Sequence, residues 1–584
     1  MRRAKIVCTL GPASDSREEI RALAEAGMSV ARLNASHGTP ADRRDVVDRV
    51  RAVDAETDRP VAVMHDLPGP EVRTAPLAES IHLTAGSTVR FVEGETATPE
   101  RVGLSVSLSG VSPGDVVLLD DGRIETRVEA VDGDEVVVTV ESGGELGGRK
   151  GVNVPGVDLG LPTITERDRT ELDVAAEESV DFVAASFVRD GDDVYEIHAA
   201  LEDRGAEIPV VAKIERADAV ANLDDVVDAA DAVMVARGDL GVECPLEEVP
   251  MIQKRIIRRC HRAGVPVVTA TEMLDSMIHE RRPTRAEASD VANAVLDGTD
   301  AVMLSGETAV GDHPVRVVET MARIVRDVEA SNEYAEALER QVPDADDTET
   351  DALARSARFL ARDVDATALV AATESGYTAR KAAKYRPAIP IVAATTAETV
   401  RRRLALTWGI VPQSAPHVEG ADQVIQTAVG TALETDAADP GDTVVVLTGM
   451  MSELDGMDTA NTLKVHVASE TVASGRPVVS GVASGPLYRT DDGDLSAVPD
   501  GAIVYVAASF DGEFEGDPSR LAGLVDAEPG TTGYVAIVAR ELGVPAVCDA
   551  VVPDDVTDGT EITLDGERGV VYRGVVSRRT TRDE

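Results

Sequence analysis

Lysine is almost missing from this 584-residue chain. Only Lys5, Lys150, Lys213, Lys254, Lys381, Lys384 and Lys464 occur, and arginine supplies the rest of the 57 basic residues. Positive charge is short overall, because 105 Asp and Glu outweigh it and leave a net charge of −48. Nucleic acid and anionic membrane surfaces are poor partners for such a chain. Cysteine is scarce too. Cys8, Cys244, Cys260 and Cys548 form neither a C-x-x-C pair nor a spaced framework, which points to a reducing compartment and argues against a zinc or iron–sulfur site. No apolar run approaches the ~18 residues of a membrane span. The N-terminal MRRAKIVCTLGP turns at Gly-Pro too early for a signal peptide. These absences predict a cytoplasmic protein.

An acidic, lysine-poor surface resembles that of proteins adapted to molar salt (halophilic proteins), where screening relieves self-repulsion. The same composition also arises in an acidic protein from a GC-rich genome. In both cases an internal lysine gains weight as a functional candidate. Apolar residues make up 43% of the chain, enough for sizeable cores. At roughly 100–200 residues per domain, the length suggests three or four domains.

Up to about residue 325, short apolar runs alternate with amphipathic helical stretches. The runs are KIVCTL (5–10), SVARLN (29–34), VAVMHD (61–66), DFVAASF (181–187), PVVAKIE (209–215), DAVMVA (231–236), VPVVTAT (265–271) and DAVMLSG (300–306). Rich in Val, Ala and Met and flanked by glycine or charge, they read as buried parallel strands. Eight such β-then-α units predict a (β/α)8 barrel over residues 1–71 and 156–340. Residues 72–155 interrupt it with alternating strands and D-G turns (STVRFVEG, DVVLLDDGRIETRVEAV, DEVVVTV), predicting an inserted all-β lid domain. QVPDADDTETD reads as an acidic linker. Residues 349–470 return to α/β alternation, and 472–575 form a further glycine-rich, β-leaning domain whose clearest passage is AIVARELGVPAV. The tail RRTTRDE reads as frayed.

Active sites of such barrels lie at the C-terminal strand ends. Seven of the eight runs end in polar groups: Arg32, Asn34, Ser36 and His37; Asp66; Ser186; Lys213 and Glu215; Arg237 and Asp239; Thr271; Ser305 and Glu307. Singly, each reads as well as a helix cap or a surface group. Lys213 and Glu215 are two apart on a strand and so share a face, with a simple ion pair as the alternative. Glu215 and Asp239, expected on adjacent strands, supply hard oxygens without His or Cys, which suits Mg²⁺ or Mn²⁺. A lysine and an arginine beside that cation suit a phosphorylated anion. Asn34, Ser36 and Asp66 suit a monovalent cation.

Together these motifs resemble the pyruvate kinase family. KIVCTLGPAS, MSVARLNASHG, LPGPEVRT, KGVNVPGVDLGLPTITERD, DFVAASFVR, VAKIE, VMVARGDLGVE, TATEML, PTRAEASDVANAVLDGTDAVMLSGETAVG and ESGYTARKAAKYRPAIPI follow in family order through about residue 470. The resemblance implies glycolytic phosphoryl transfer from phosphoenolpyruvate to ADP, giving pyruvate and ATP, in a homotetramer with Mg²⁺ (or Mn²⁺) and K⁺. It places the divalent cation on Glu215 and Asp239, and K⁺ on Asn34, Ser36, Asp66 and the Leu67 carbonyl. It gives Lys213 the transferring phosphoryl group and Arg32 the phosphate. Gly238, Asp239 and Thr271 would cradle the substrate carboxylate, Thr271 also lying near the carbon that is protonated. Asn34, His37 and Arg73 would lie by the nucleotide.

The chain also departs from the family pattern. Asp66-Leu67-Pro68 replaces the usual Asp-Thr-Lys. Glu71 is typical of K⁺-requiring members and Leu67 of the others; Glu71 is given more weight because its charge would add to a carboxylate cluster facing an anion. Glu272 stands for the usual Gln. The loop Thr373, Glu374, Ser375, Gly376, Tyr377, Thr378 resembles a sugar-phosphate effector loop, and reads equally as an ST-type turn. Residues 472–575 resemble the mobile phosphohistidine domain of phosphoenolpyruvate-utilising enzymes, with Tyr534 where the histidine belongs. That predicts a structural domain rather than a phosphoryl carrier. The competing readings are a dikinase-like phosphoenolpyruvate synthase, which lacks a carrier histidine here, and an inactive barrel acting as a metabolite sensor or scaffold.

Overall fold

A computed structural model describes residues 2–435, 437–449, 460–510 and 512–576. The tail RRTTRDE lies outside the described residues. The chain packs as two compact units. The first comprises Met1–Asp344, Ala383–Arg386 and Glu398–Pro412. The second comprises Ala345–Ala382, Pro387–Ala397 and Gln413–Glu584.

In the first unit the eight expected runs close into a barrel: β1 (Lys5–Thr9), β2 (Val30–Asn34), β3 (Ala62–Asp66), β4 (Phe182–Ala185), β5 (Val210–Ile214), β6 (Ala232–Ala236), β7 (Val267–Ala270) and β8 (Ala301–Leu304). Neighbours pair in parallel around the ring, β8 closing on β1. Alternation sorts the side chains. Val7, Val30, Ala62, Met64, Ala184, Val211, Ala232, Met234, Val268 and Met303 fill the barrel interior, while Ile6, Ala31, Val63 and Val210 face the helix layer. A period of two then carries the interior face forward to Thr9, Arg32, Asp66, Ser186 and Lys213. Packing parity thus delivers these polar groups to one mouth.

The helices start where capping chemistry dictates. Thr39 and Thr165 each make a reciprocal capping box, with Asp42 and Asp168, at the Pro40–Asp54 and Glu166–Glu177 helices. Between β3 and β4 the inserted all-β lid forms an eight-stranded sheet around its own core, including Val89, Phe91, Leu104, Val117, Leu119 and Val138. As its D-G turn predicts, DVVLLDDGRIETRVEAV folds into two antiparallel strands, Val116–Leu119 and Ile124–Asp132. Asp120, Asp121 and Gly122 turn it with φ of 51°, 57° and 79°.

A five-stranded sheet orders Ile410–Ser414, Ile391–Thr395, Ala368–Ala372, Thr443–Thr448 and Thr462–Val467. The acidic stretch expected as a linker ends sooner than its composition suggests. Thr348 caps a helix over Glu349–Asp363. Asp351, which is buried, pairs with Lys381 at 3.3 Å. Acidic residues there serve a helix N-terminus, where the macrodipole favours them. A further eight-stranded sheet follows, with one helix over Tyr534–Leu542. Tyr534 is the first helical residue and packs on Phe510 and Phe514, with ring centroids 6.3 and 5.6 Å away.

Candidate active site

Lys213 stands at the centre of the barrel mouth. Its amine lies 2.7 Å from Ser186 Oγ and 2.7 Å from Glu215 Oε1, and 3.4 Å from Asp66 Oδ1. Arg32 clasps the other Asp66 oxygen through Nε at 2.6 Å and reaches Thr9 Oγ1 at 2.9 Å. All five of these charged or hydroxyl partners of the barrel wall are nearly buried. Burial disfavours the Lys213 cation, but Asp66 and Glu215 outweigh it and push its pKa up. Burial likewise raises Asp66, yet Arg32 and Lys213 prevail and hold it below the usual carboxylate range. The mouth therefore keeps two fixed cations, Arg32 and Lys213, in a low-dielectric wall, a setting suited to a dianionic phosphoryl group.

Glu215 and Asp239 behave oppositely. Burial raises both, Asp239 adds to the negative charge around Glu215, and Lys213 only partly offsets the rise in each. Asp121 of the lid turn and Glu71 raise Asp239 further. Two buried carboxylates held above their ordinary range form a site that a divalent cation would satisfy. Among the described residues no group of three or more His, Cys, Asp or Glu is arranged to hold a metal. A two-carboxylate set fits Mg²⁺, which completes its shell with water and phosphate oxygens. Against the expectation of adjacent strands, neither carboxylate lies on one: β5 ends at Ile214, one residue before Glu215, and β6 ends at Ala236, with Asp239 in the first turn of the Arg237–Glu243 helix.

Thr271 follows β7 in a conformation unusual for a β-branched residue, with φ of 75°, and Glu272 follows at 52°. Arg237 braces this strained pair: its Nε donates to the Ala270 carbonyl at 3.0 Å and its NH2 to the Thr271 carbonyl at 2.8 Å. Asp290 anchors the same guanidinium at 2.6 Å. Phe187, also left-handed at φ 59°, donates its N–H to Glu215 Oε2 at 2.8 Å. Glu307, a candidate by position, spends its oxygens on the N–H groups of Leu274 and Ser305 and so holds backbone.

The loop after β2 carries the monovalent-cation and nucleotide candidates. Asn34 and Asp66 are register partners across β2 and β3. Asn34 Oδ1 accepts the Ser36 N–H at 3.0 Å, while His37 is exposed. The Leu67 carbonyl accepts Ser186 Oγ at 2.8 Å. Arg73, expected by the nucleotide, lies folded onto Glu71 at 2.6 and 2.9 Å and donates to the Arg149 carbonyl. In the second unit, Thr373 Oγ1 and Ser375 Oγ accept the N–H groups of Gly376 and Tyr377 at 3.0 and 3.3 Å, so the loop forms the ST-type turn. Thr378 is buried in the helix that follows.

Thr9 and Asp121 were missed by sequence reasoning. Thr9 has a signal, since it shares the interior parity of Val7. Asp121 has none, because its approach to Asp239 depends on how the lid packs.

Three family descriptions match the chain: "Pyruvate kinase, barrel domain" over residues 1–318, "Pyruvate kinase, alpha/beta domain" over 351–466, and "PEP-utilising enzyme, mobile domain" over 498–569. Curated relatives match end to end. A pyruvate kinase of Geobacillus stearothermophilus is 44% identical over 99% of both chains. One of Bacillus licheniformis is 40% identical over 99% of this chain and 100% of its own, and one of Staphylococcus aureus (strain MRSA252) is 40% identical over 98% and 99%.

Proposed function

The chain belongs to the pyruvate kinase family, and on that premise we propose how its barrel mouth divides the work of moving a phosphoryl group from phosphoenolpyruvate to ADP. The enzyme is a phosphotransferase. The observation that carries the assignment of roles is the buried Lys213 amine, fixed within 2.7 Å of both Ser186 and Glu215 and kept charged.

Lys213 and Arg32 hold the phosphoryl oxygens and offset the charge that spreads over them in a loose transition state. Glu215 and Asp239 hold the Mg²⁺ (or Mn²⁺). When bound there, the cation supplies charge neutralisation and orients phosphate oxygens. The backbone at Gly238 and Asp239, with the Thr271 side chain, seats the carboxylate of phosphoenolpyruvate. Thr271 stands by the enolpyruvate carbon that takes up a proton. Asn34, Ser36, Asp66 and the Leu67 carbonyl would hold K⁺, whose charge would offset Asp66 and Glu71 facing an anionic substrate. Asn34, His37 and Arg73 receive the nucleotide once Arg73 releases Glu71. The lid closes over the mouth and excludes water.

The α/β sheet of the second unit takes a phosphate-bearing effector at Thr373, Ser375, Gly376 and Thr378 only if the loop exchanges its internal hydrogen bonds for ligand oxygens. The C-terminal domain is structural, because Tyr534 cannot carry a labile phosphoryl group and its hydroxyl accepts the Phe514 N–H at 3.0 Å. The enzyme works as a homotetramer in the cytoplasm; all four cysteines are free, which suits a reducing compartment. Its surface is salt-adapted, a reading supported by the −48 charge and the scarcity of lysine.

Pyruvate formation from phosphoenolpyruvate and ADP, followed with Mg²⁺ in KCl and in tetramethylammonium chloride at matched concentration, tests this scheme. Turnover that needs both Mg²⁺ and K⁺ is expected. No turnover would favour the inactive scaffold, and equal rates in both salts would remove K⁺ from the scheme.

A further inference from the structure

Behind the mouth, on the helix-facing side of β3, three polar residues are sealed from solvent. His65, Arg43 and Glu171 are 0%, 5% and 1% exposed. The substrate machinery described above uses none of them. Arg43 lies on the Pro40–Asp54 helix and Glu171 on the Glu166–Glu177 helix. Arg43 Nε donates to Glu171 Oε2 at 2.7 Å, its NH2 donates to Glu171 Oε1, and its NH1 donates to the His37 carbonyl at 2.6 Å. His65 Nε2 lies 3.0 Å from Glu171 Oε2, whereas Nδ1 has no partner among the described residues. The ring N–H therefore belongs on Nε2, donating to Glu171.

A buried ion pair of this kind is a weak source of stability, since desolvation consumes most of its Coulomb gain. Its geometry gives it another use. Glu171 occupies one edge of the guanidinium with two parallel bonds, which fixes the plane and aims the remaining NH1 at one backbone oxygen. That oxygen belongs to His37, in the loop that carries Asn34, Ser36 and His37. One turn earlier on the same helix, Arg167 donates to the Ala35 carbonyl at 2.6 Å. Between them, Asp168 Oδ1 accepts the Gly69 N–H at 2.9 Å and so pins the loop after Asp66. The helix thus holds both mouth loops from behind.

We propose that Arg43, aimed by Glu171 and His65, is a positioning residue that sets the Asn34–His37 loop and thereby the affinity for ADP and K⁺. The inference rests on the proposed role of that loop. A lysine cannot replace Arg43, because one ammonium cannot hold both Glu171 oxygens and the His37 carbonyl in a fixed plane.

The test compares Arg43→Lys, Arg43→Met and the double variant Arg43→Met/Glu171→Leu with wild type. The double variant removes both charges, so no unpaired carboxylate is left to unfold the protein. Half-saturation for ADP and for K⁺ should rise about tenfold in all three, on the order of what losing one charge-assisted hydrogen bond costs. Turnover at saturation and half-saturation for phosphoenolpyruvate should change less than twofold. A folded double variant with wild-type half-saturations would overturn the proposal, as would a loss confined to turnover. Asn34→Ala runs alongside. If it also leaves ADP and K⁺ binding unchanged, the loop assignment itself has failed. If it weakens them while the Arg43 variants do not, only the positioning role has failed.

Discussion

Gly238 and Thr271 are packed so closely that a Cβ on residue 238 would lie 2.6 Å from Thr271 Cγ2. The contact joins the first turn of the Arg237–Glu243 helix to the strained residue after β7, the two elements proposed to seat the substrate carboxylate. Gly238→Ala must push Thr271 away, at an overpacking cost of about 1–3 kcal/mol. Displacement by about 1 Å should lower kcat/KM for phosphoenolpyruvate on the order of 100-fold. Steady-state kinetics with a thermal melt check this. An alanine variant with wild-type kcat/KM would separate the pair from substrate binding.

Lys213→Met should reduce turnover by roughly 100- to 1,000-fold, the loss expected when a charge-stabilising donor is removed from a buried site. The neighbours set a second expectation. Without the amine, Glu215 keeps only the Phe187 N–H among the described hydrogen bonds, while Asp66 retains Arg32. A stranded buried carboxylate costs about 3–5 kcal/mol. The variant should melt lower than wild type in EDTA and regain stability when Mg²⁺ is added. A melting temperature indifferent to Mg²⁺ would remove the cation from Glu215 and Asp239.

How far the sequence reaches depends on whether a feature follows from local pattern. All eight barrel strands were legible because each is a short apolar run bounded by charge or glycine, and a strand buried on both faces has no other composition available. The Lys213–Glu215 pairing was legible because strand parity is a local rule whose alternation carries one residue past the end of β5 at Ile214. Asp239 was misplaced because the step from β6 into a helix happens at Ala236, where neither a proline nor a capping side chain announces it. The Arg43–Glu171–His65 cluster left no signal at all. Its members lie 22 and 106 residues apart along the chain, and two of them read as ordinary surface charges on amphipathic helices. The end of the acidic linker was hard to place for a similar reason: acidic residues favour both solvated loops and helix N-termini, and only Thr348 distinguishes them.

His261 gives a pH dependence with a definite sign. Burial, aided by Arg386 and opposed by Asp300, lowers its pKa from 6.5 to about 4. Its Nε2 lies 2.7 Å from the Lys384 carbonyl oxygen. As pH falls, the unfolded chain binds the proton first, so this contribution is complete above about 6.5 and is lost on the way down to about 4. At 1.36 kcal/mol per unit, the loss amounts to roughly 3 kcal/mol. His261→Gln should keep the hydrogen bond without the titration. Urea unfolding at several pH values should therefore show wild type losing stability more steeply than the variant across that window. Parallel curves would mean that the imidazole stays as accessible to protons folded as unfolded.

Salt acts on this protein through two opposed terms. Exposed pairs such as Arg101 with Glu135 and Arg127 with Glu141 weaken as ionic strength rises. Each contributes only about 0–1 kcal/mol, so their loss is small. Self-repulsion works the other way. Even if every basic residue found an acidic partner, a net charge of −48 would remain. At 0.01 M salt the Debye length is about 30 Å and these charges act across a whole domain; at 1 M it is about 3 Å and they do not. Repulsion between many unpaired carboxylates should therefore decide the outcome, and the melting temperature should rise from low salt to molar KCl. Specific K⁺ binding would also stabilise the folded state by mass action. Tetramethylammonium chloride separates the two effects, because it screens without fitting a K⁺ site. A rise in both salts identifies charge repulsion; a rise in KCl alone identifies the cation site. A melting temperature that is flat or falling in both would mean that the surface pairs outweigh the repulsion and that the acidic composition is not an adaptation to salt.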